Sequence, residues 1–352
     1  MLGQMSTPVP DSPVEIACDE SGNSGENLTS SQNGVFSEGS HDLTVDESSD
    51  ILDWVRSQLP KASAEIKWKN LRADTELVET LFKDRLNGRA HFYLTEKTYF
   101  VVGKVVDLLI EELQHDEGKD LYAGGHAREL AFDLYRNGHR ALGAEQWESL
   151  LQDFNSLMRR DSATQKLKAV PKTTVDEFFR GIEASRWQSK RRNVTDILSE
   201  IARTKGIADE FVASLDPSTR PIPSLDPLIP SLAQTLRHWY YVHGRKQIAV
   251  IHDEGPVPSS TAMAALVDGL RNPGEFRRIT PPVDVKEIRT AESSTDARIQ
   301  VADLIAGFGA QSGQQALNGR LEQPQLGITR ELISSTSLWG DDKSAALLGL
   351  DT

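Results

Sequence analysis

The sequence has little cysteine and no long apolar run. Cys18 is the one cysteine among 352 residues, which excludes an intramolecular disulfide and predicts a small buried side chain rather than a nucleophile. No segment approaches the roughly 20 apolar residues that a membrane-spanning helix needs, and the first dozen residues lack the pattern of a signal peptide. The sequence therefore predicts a cytoplasmic protein without a membrane segment.

Positive charge is also scarce. The 39 Lys and Arg residues are outnumbered by 52 Asp and Glu residues, which gives a formal net charge of −13. This balance opposes non-specific binding to nucleic acid, because that affinity comes largely from basic side chains that neutralise phosphates. It leaves room for an enzyme that contacts a few phosphates through metal ions. The densest basic run, residues 190–192, is interpreted as a solvated helix face.

Ordinary globular features are present. Hydrophobic residues make up 38% and charged residues 26% of the chain, and its length allows one large domain with insertions. Strand candidates alternate with helix candidates at both ends, whereas residues 129–213 have apolar residues at helical spacing. A proline-rich segment over residues 214–230 indicates a linker. The pattern predicts an α/β fold in which a mostly helical insertion interrupts a mixed sheet.

Two predicted strands, far apart in the sequence, each end in an acidic pair. Residues 14–18 are followed by Asp19 and Glu20, and residues 247–251 are followed, after His252, by Asp253 and Glu254. Ligands of open α/β sheets bind at the carboxyl ends of strands, so the pairs meet if the strands are neighbours.

A short strand is predicted over residues 63–68. Side chains alternate along a strand, so Ile66 and Trp68 would share one face and Glu65 and Lys67 the other.

A helix predicted over residues 296–308 adds further acidic groups. Asp296 and Asp303 lie seven positions apart, about two helical turns, so they share one face. Asp303 is surrounded by small apolar residues, and an isolated buried carboxylate is costly without compensation. Mg²⁺ and Mn²⁺ prefer such oxygen ligands, whereas the absence of a cysteine or multi-histidine pattern argues against structural zinc.

Each of these residues also has a structural interpretation. Asp19 suits a turn, and Asp296 suits a helix N-terminus. Asp303 could pair with Arg298, and His252 could be a hydrogen-bonding residue at the end of a strand. The coincidence of two acidic strand ends with one acidic helix face favours the metal interpretation.

Four passages resemble the bacterial family catalogued as domain of unknown function number 3800, which is regarded as ribonuclease-H-like. They are residues 14–22, 65–68, 248–254 and 294–307. The resemblance implies a ribonuclease-H-like mixed sheet flanked by helices. Asp19 would be the central metal ligand and Asp253 the ligand on a later strand, with Asp296 or Asp303 as the helical ligand. Accessory positions would be Glu20, Glu65, Lys67 and Glu254.

The expected domain organisation has five parts. A flexible tail covers residues 1–12, and the two parts of the ribonuclease-H-like domain cover 13–125 and 216–320. The helical insertion covers 126–215 and departs from the pattern that is matched to the family, and a C-terminal tail covers 321–352.

Metal-dependent hydrolysis of phosphodiester bonds in RNA or DNA is the leading functional expectation. Asp19, Asp253 and Asp303 would hold two Mg²⁺ or Mn²⁺ ions, with Glu20 and Asp296 as further ligands. Lys67 would orient a phosphate or stabilise developing charge. The alternative is a non-catalytic binding or scaffold protein of a bacterial defence or mobile-element system, which contacts a protein partner through the helical insertion.

Overall fold

A five-stranded mixed sheet forms the centre of the molecule. The computed structural model describes residues 12–22, 25–29, 33–59, 65–160, 173–213, 221–255, 258–274 and 280–350. The strands are β1 (Val14–Ser21), β2 (Val35–His41), β3 (Ala90–Glu96), β4 (Ile248–Asp253) and β5 (Val285–Ala291). Their order across the sheet is β3-β2-β1-β4-β5. The α/β class predicted from the sequence is confirmed.

The central position of β1 follows from its pairing. It runs antiparallel to β2, which is itself antiparallel to β3, and parallel to β4, which is parallel to β5. The register aligns Cys18 with His252, so the carboxyl ends of β1 and β4 lie side by side. The two acidic strand ends predicted from the sequence are therefore neighbours.

Helices surround the sheet on both faces. In chain order they are α1 (Val45–Gln58), α2 (Trp68–Leu71), α3 (Thr75–Thr80), α4 (Lys97–Val105), α5 (Glu112–Asp116), α6 (His126–Leu142), α7 (Ala144–Met158), α8 (Val175–Gln188), α9 (Arg192–Arg203), α10 (Lys205–Ala213), α11 (Leu228–Val242), α12 (Ser260–Arg271), α13 (Ala297–Leu317), α14 (Gln325–Leu332) and α15 (Asp342–Leu348). π-Helical segments at Leu81–Arg85 and Val106–Glu111 extend α3 and α4.

The sheet separates two apolar cores. On one face, α13 packs Val301, Leu304 and Phe308 against Phe92 of β3. On the other face, residues of α11 and α12 pack against alternate residues of the strands, such as Ile16 of β1. Because side chains alternate along a strand, neighbouring residues of β1 face different helices.

A third core belongs to the helical region. It joins α6–α9 to α4 and includes Phe154, Phe178 and Leu198. Thr174 begins α8 with a capping box to Glu177. α4, which precedes residues 126–215 in the chain, therefore contributes to the same core.

The strand predicted over residues 63–68 is wrong for its described part. Residues 65–67 are irregular, and Trp68 begins the short helix α2, where the Asn70 side chain accepts a hydrogen bond from the Lys67 N–H. The predicted alternation nevertheless holds, since Ile66 and Trp68 are buried whereas Glu65 and Lys67 are about 40% exposed.

The segment predicted as a C-terminal tail is packed against the sheet. The N–H groups of Ser334 and Leu338 donate to Phe92 O and Leu94 O at 2.8 Å, along the outer edge of β3. Trp339 is buried beside that edge. The predicted N-terminal tail lies outside the described residues except for Ser12.

Within the described ranges, no helix has the length and apolar character required to cross a membrane.

Candidate carboxylate site

Three of the predicted aspartates lie on the α13 face of the sheet. Asp19 of β1 pairs across the sheet with Gly39 of β2. A Cβ atom added to Gly39 would lie 2.3 Å from the Ala306 nitrogen and 2.8 Å from the Ala302 oxygen of α13. Cross-strand partners point to the same face, so the Asp19 side chain also faces α13.

Asp253 of β4 and Asp303 of α13 add two further carboxyl groups to this face of the sheet. Asp253 ends β4 and follows the same alternation as Asp19, because Cys18 and His252 are register partners. Asp303 lies on α13 beside Ala302, and its side chain is 20% exposed. The charges of Asp253 and Asp303 both raise the pKa of Asp19. These three aspartates form the carboxylate site.

Burial dominates the electrostatics of the carboxylate site. Desolvation raises the pKa of Asp19 well above its ordinary value, the charge of Glu20 raises it further, and His252 opposes the increase. Desolvation also raises the pKa of Asp303, against the opposing charge of Lys67. Both carboxyl groups therefore resist ionisation unless a cation compensates them.

Among the described residues, Lys67 is the base that forms an ion pair with Asp303. Its Nζ lies 4.0 Å from Asp303 Oδ1, but it lies 2.6 Å from Glu65 Oε1. Burial alone would lower the pKa of Lys67, but the hydrogen bond to Glu65 and the charge of Asp303 raise it overall. Asp303 Oδ2 is buried, and no described residue hydrogen-bonds to it. Lys67 thus compensates Asp303 only in part.

Glu20 lies on the opposite face of the sheet, although it follows Asp19 directly. Its cross-strand partner is Glu38. Ser40, on the same face as Glu38, accepts a hydrogen bond from the Trp239 indole of α11 at 2.9 Å. Glu20 still approaches Asp253 at the end of the sheet, and the charge of Asp253 raises its pKa after the larger effects of burial and His252.

A buried histidine sits between these two glutamates. His252 Nε2 lies 3.4 Å from Glu38 Oε1 and 3.7 Å from Glu20 Oε2, while Nδ1 lies 3.1 Å from the Asp253 carbonyl oxygen. Burial lowers the pKa of His252, but the charge of Glu38 and then that of Glu20 outweigh it and raise the pKa to about 10. These two glutamates therefore favour the protonated form of His252, which shares the sheet face of Cys18, opposite to that of Asp19.

Asp296 is not brought to the site. Its side chain caps α13 by accepting the Arg298 N–H at 3.0 Å, and it forms an ion pair with Arg298 Nη2 at 2.7 Å. The hydrogen bond from Arg298 lowers its pKa. Arg298 also pairs with Glu15 and not with Asp303. The structural interpretation of Asp296 as a helix cap therefore describes its position, and Asp303 is the acidic residue of α13 that faces β1.

Sequence reasoning missed Glu38 and gave His252 too small a role. Glu38 lies within Val-Phe-Ser-Glu-Gly-Ser-His, where a glutamate inside a strand was the available signal. Its position next to Glu20 depends on the β1–β2 register, which the sequence does not specify because the loop between the strands is long.

No family model, curated protein or solved structure matches this chain in the three comparisons made. The resemblance to family number 3800 therefore stays an expectation. In the described part of the chain, no group of three or more His, Cys, Asp or Glu side chains is arranged to hold a metal ion. The arrangement consists of acidic side chains from β1, β4 and α13 that influence one another electrostatically.

Proposed function

We propose that the carboxylate site binds divalent metal ions and that the protein hydrolyses phosphodiester bonds. One observation carries the proposal: Asp19 and Asp253 lie near the carboxyl ends of adjacent parallel strands, on the sheet face covered by α13, and Asp303 lies on α13. We also propose that the fold is ribonuclease-H-like, because a mixed sheet with β1 at its centre and helices on both faces is what such a fold would have.

The chemistry of the donors supports a hard divalent cation. All three donors are carboxylates, the ligand type that Mg²⁺ and Mn²⁺ prefer. Burial and mutual repulsion raise the pKa of Asp19, and Asp303 Oδ2 has no partner among the described residues. Ionisation of these carboxyl groups is unfavourable unless a cation compensates their charge. Glu20, which approaches Asp253 near Gly255, would be a further ligand.

The residues of the site would have different roles in the proposed reaction. Bound divalent ions would supply the charge that activates water and stabilises the leaving oxygen. Asp19, Asp253 and Asp303 would hold the ions. His252 would hold Glu20 and Glu38 in position through its ion pairs with them. Lys67, 40% exposed beside Asp303, would contact a phosphate oxygen of RNA or DNA.

A cleavage assay tests this function. Purified protein is incubated with Mg²⁺ or Mn²⁺ and labelled RNA, DNA and RNA–DNA hybrid. We expect cation-dependent cleavage that falls roughly 100-fold or more in Asp19→Asn and in Asp253→Asn. Asp296→Asn makes the same chemical change outside the site and should retain cleavage within about threefold. Absence of cleavage on every substrate, or unchanged cleavage in Asp19→Asn, would contradict the proposal.

A non-catalytic binding role is the second candidate. It is favoured by the lack of a three-ligand group in the described residues and by Trp187 of α8, which is 84% exposed on the helical region. A protein partner could cover such a side chain. If Mn²⁺ neither binds nor raises the melting temperature of the wild-type protein, the binding role becomes the better explanation.

A further inference from the structure

A cavity separate from the carboxylate site lies between α4, α6 and the edge of β3 that the C-terminal segment covers. Its volume is about 580 Å³, which is within the range of small-molecule sites. Small residues leave this space open. Gly103 of α4 and Ala127 and Ala131 of α6 line it, and a Cβ atom added to Gly103 would meet no atom within 4 Å. The cavity therefore has room for a small organic ligand.

Aromatic rings form much of the lining. Tyr99 of α4 and Phe132 of α6 stack with their ring centroids 4.8 Å apart and an interplanar angle of 27°. Tyr93 of β3 and Trp339 of the C-terminal segment also line the cavity, and both are buried. Aromatic rings pack best against another ring, in an offset-stacked or edge-to-face arrangement. These walls therefore favour a planar aromatic ligand.

Arg128 of α6 adds a positive charge to the aromatic lining. Its guanidinium carbon lies 5.2 Å from the Phe132 ring centroid. Burial raises the pKa of Tyr99 to about 12, and the charge of Arg128 and a hydrogen bond between the two side chains oppose the increase. Among the described residues, no acidic side chain forms an ion pair with Arg128, whereas Lys104 of the same lining pairs with Asp107 at 3.4 Å. Arg128 is therefore available to an anionic group of a ligand.

We propose that this cavity binds a small planar molecule that consists of an aromatic ring system and one carboxylate group. The ring system packs against Tyr99, Phe132 and Trp339. The carboxylate accepts two parallel hydrogen bonds from the Arg128 guanidinium, whose planar shape matches it. A phosphate group is a poorer match, because it carries roughly two negative charges at neutral pH and Arg128 supplies one positive charge. This binding is independent of the proposed hydrolysis, since no residue of the carboxylate site lines the cavity.

Calorimetric titration of the full-length protein with matched probes tests the inference. 2-Naphthoate has planar rings and a carboxylate, 2-naphthamide keeps the rings without the charge, and cyclohexanecarboxylate keeps the charge without the aromatic rings. EDTA in the buffer removes divalent cations. We expect one 2-naphthoate to bind per chain, and the other two probes to bind at least roughly tenfold more weakly. Absence of 2-naphthoate binding, or equal affinity for 2-naphthoate and either other probe, would overturn the inference.

Variants then test the contact with the carboxylate. Arg128→Gln should bind 2-naphthoate at least roughly tenfold more weakly and 2-naphthamide within about threefold of wild type, because the guanidinium contacts the carboxylate. Arg140→Gln makes the same change at an exposed position of α6 outside the lining and should bind both probes as wild type does. Equal affinity of Arg128→Gln and wild type for 2-naphthoate would overturn the role given to Arg128.

Two further variants test the location of the binding site. Gly103→Leu should bind both naphthalene probes at least roughly tenfold more weakly, because its larger side chain takes up space in the cavity. Unchanged affinity in this variant would exclude the cavity as the site. The wild-type titrations do not depend on any variant folding. Asp19→Asn should bind 2-naphthoate as wild type does, which distinguishes failure here from failure of the proposed phosphodiester hydrolysis.

Discussion

At the scale of single residues, burial shifts the pKa values of side chains more than residues adjacent in the sequence do. The Glu38 side chain is fully buried, and no described residue donates a hydrogen bond of normal geometry to either of its carboxylate oxygens. Desolvation raises its pKa to about 7, although the nearby His252 opposes the increase. The folded protein therefore binds the Glu38 proton more tightly than the unfolded chain does.

Glu38→Gln should change how stability depends on pH. Because the folded pKa of about 7 exceeds the ordinary value of 4.5, the contribution of Glu38 to stability is complete below pH 4.5 and is lost as the pH rises through 7. Wild type should lose roughly 3 kcal/mol more unfolding free energy over this interval than Glu38→Gln does. Urea unfolding at several pH values measures the difference. Parallel pH profiles for the two proteins would contradict this assignment.

The sequence allowed part of the site to be predicted at this scale. Asp19 and Asp253 could be located because an apolar run ends at each of them, and Asp303 because its neighbours are small and apolar. The choice between Asp303 and Asp296 could not be made, because both suit the same helix face and the partner of Arg298 is seen only in three dimensions. Glu38 required the strand register.

At the scale of elements, α13 is held close to β1 and β2 by small residues. Gly39 meets the backbone of Ala302 and Ala306, and Gly309 of α13 meets the Ser37 hydroxyl. Asp303 is adjacent to Ala302, so this close packing also sets its distance from Asp19. The strands and α13 were predictable from apolar runs and small residues, but their separation depends on atomic contacts that periodicity does not describe.

Gly39→Ala should disturb both packing and site. The added methyl would lie 2.3 Å from the Ala306 nitrogen, so α13 must move away and stability should fall by roughly 1–3 kcal/mol. Gly103→Ala is the matched control, because its added methyl meets nothing within 4 Å and alanine favours a helix. Thermal unfolding without Mn²⁺ measures the effect on packing, and thermal unfolding with Mn²⁺ measures the effect on the site. Similar melting temperatures for the two variants would show that the packing is not tight.

At the scale of the whole molecule, residues 325–350 complete the sheet domain rather than trailing from it. They follow the edge of β3 through backbone hydrogen bonds and bury Leu332, Trp339 and Leu348 in the same core as α13. Covering an edge strand also protects it from pairing with other chains. The sequence did not predict this docking, because the segment's short helices lack a long periodic pattern and its contacts with β3 are distant in sequence.

A pair of tryptophan substitutions tests this organisation. Trp339 is 3% exposed, and Trp187 is 84% exposed. Trp339 also donates to the Ser344 hydroxyl at 2.8 Å. Trp339→Ala should reduce the unfolding free energy by roughly 3–5 kcal/mol, whereas Trp187→Ala should change it by about 0.5 kcal/mol or less. Chemical denaturation measures both. Equal effects would indicate that the C-terminal segment does not belong to the core.

Calorimetric titration with Mn²⁺ tests the central claim most directly. Wild type should bind the cation, and Asp19→Asn, Asp253→Asn and Asp303→Asn should each bind it at least roughly tenfold more weakly, a loss of about 1.4 kcal/mol or more. Asp296→Asn, whose parent carboxylate is engaged by Arg298, should bind it as wild type does. The absence of binding to wild type, or equal affinity in all five proteins, would contradict a metal site formed by β1, β4 and α13.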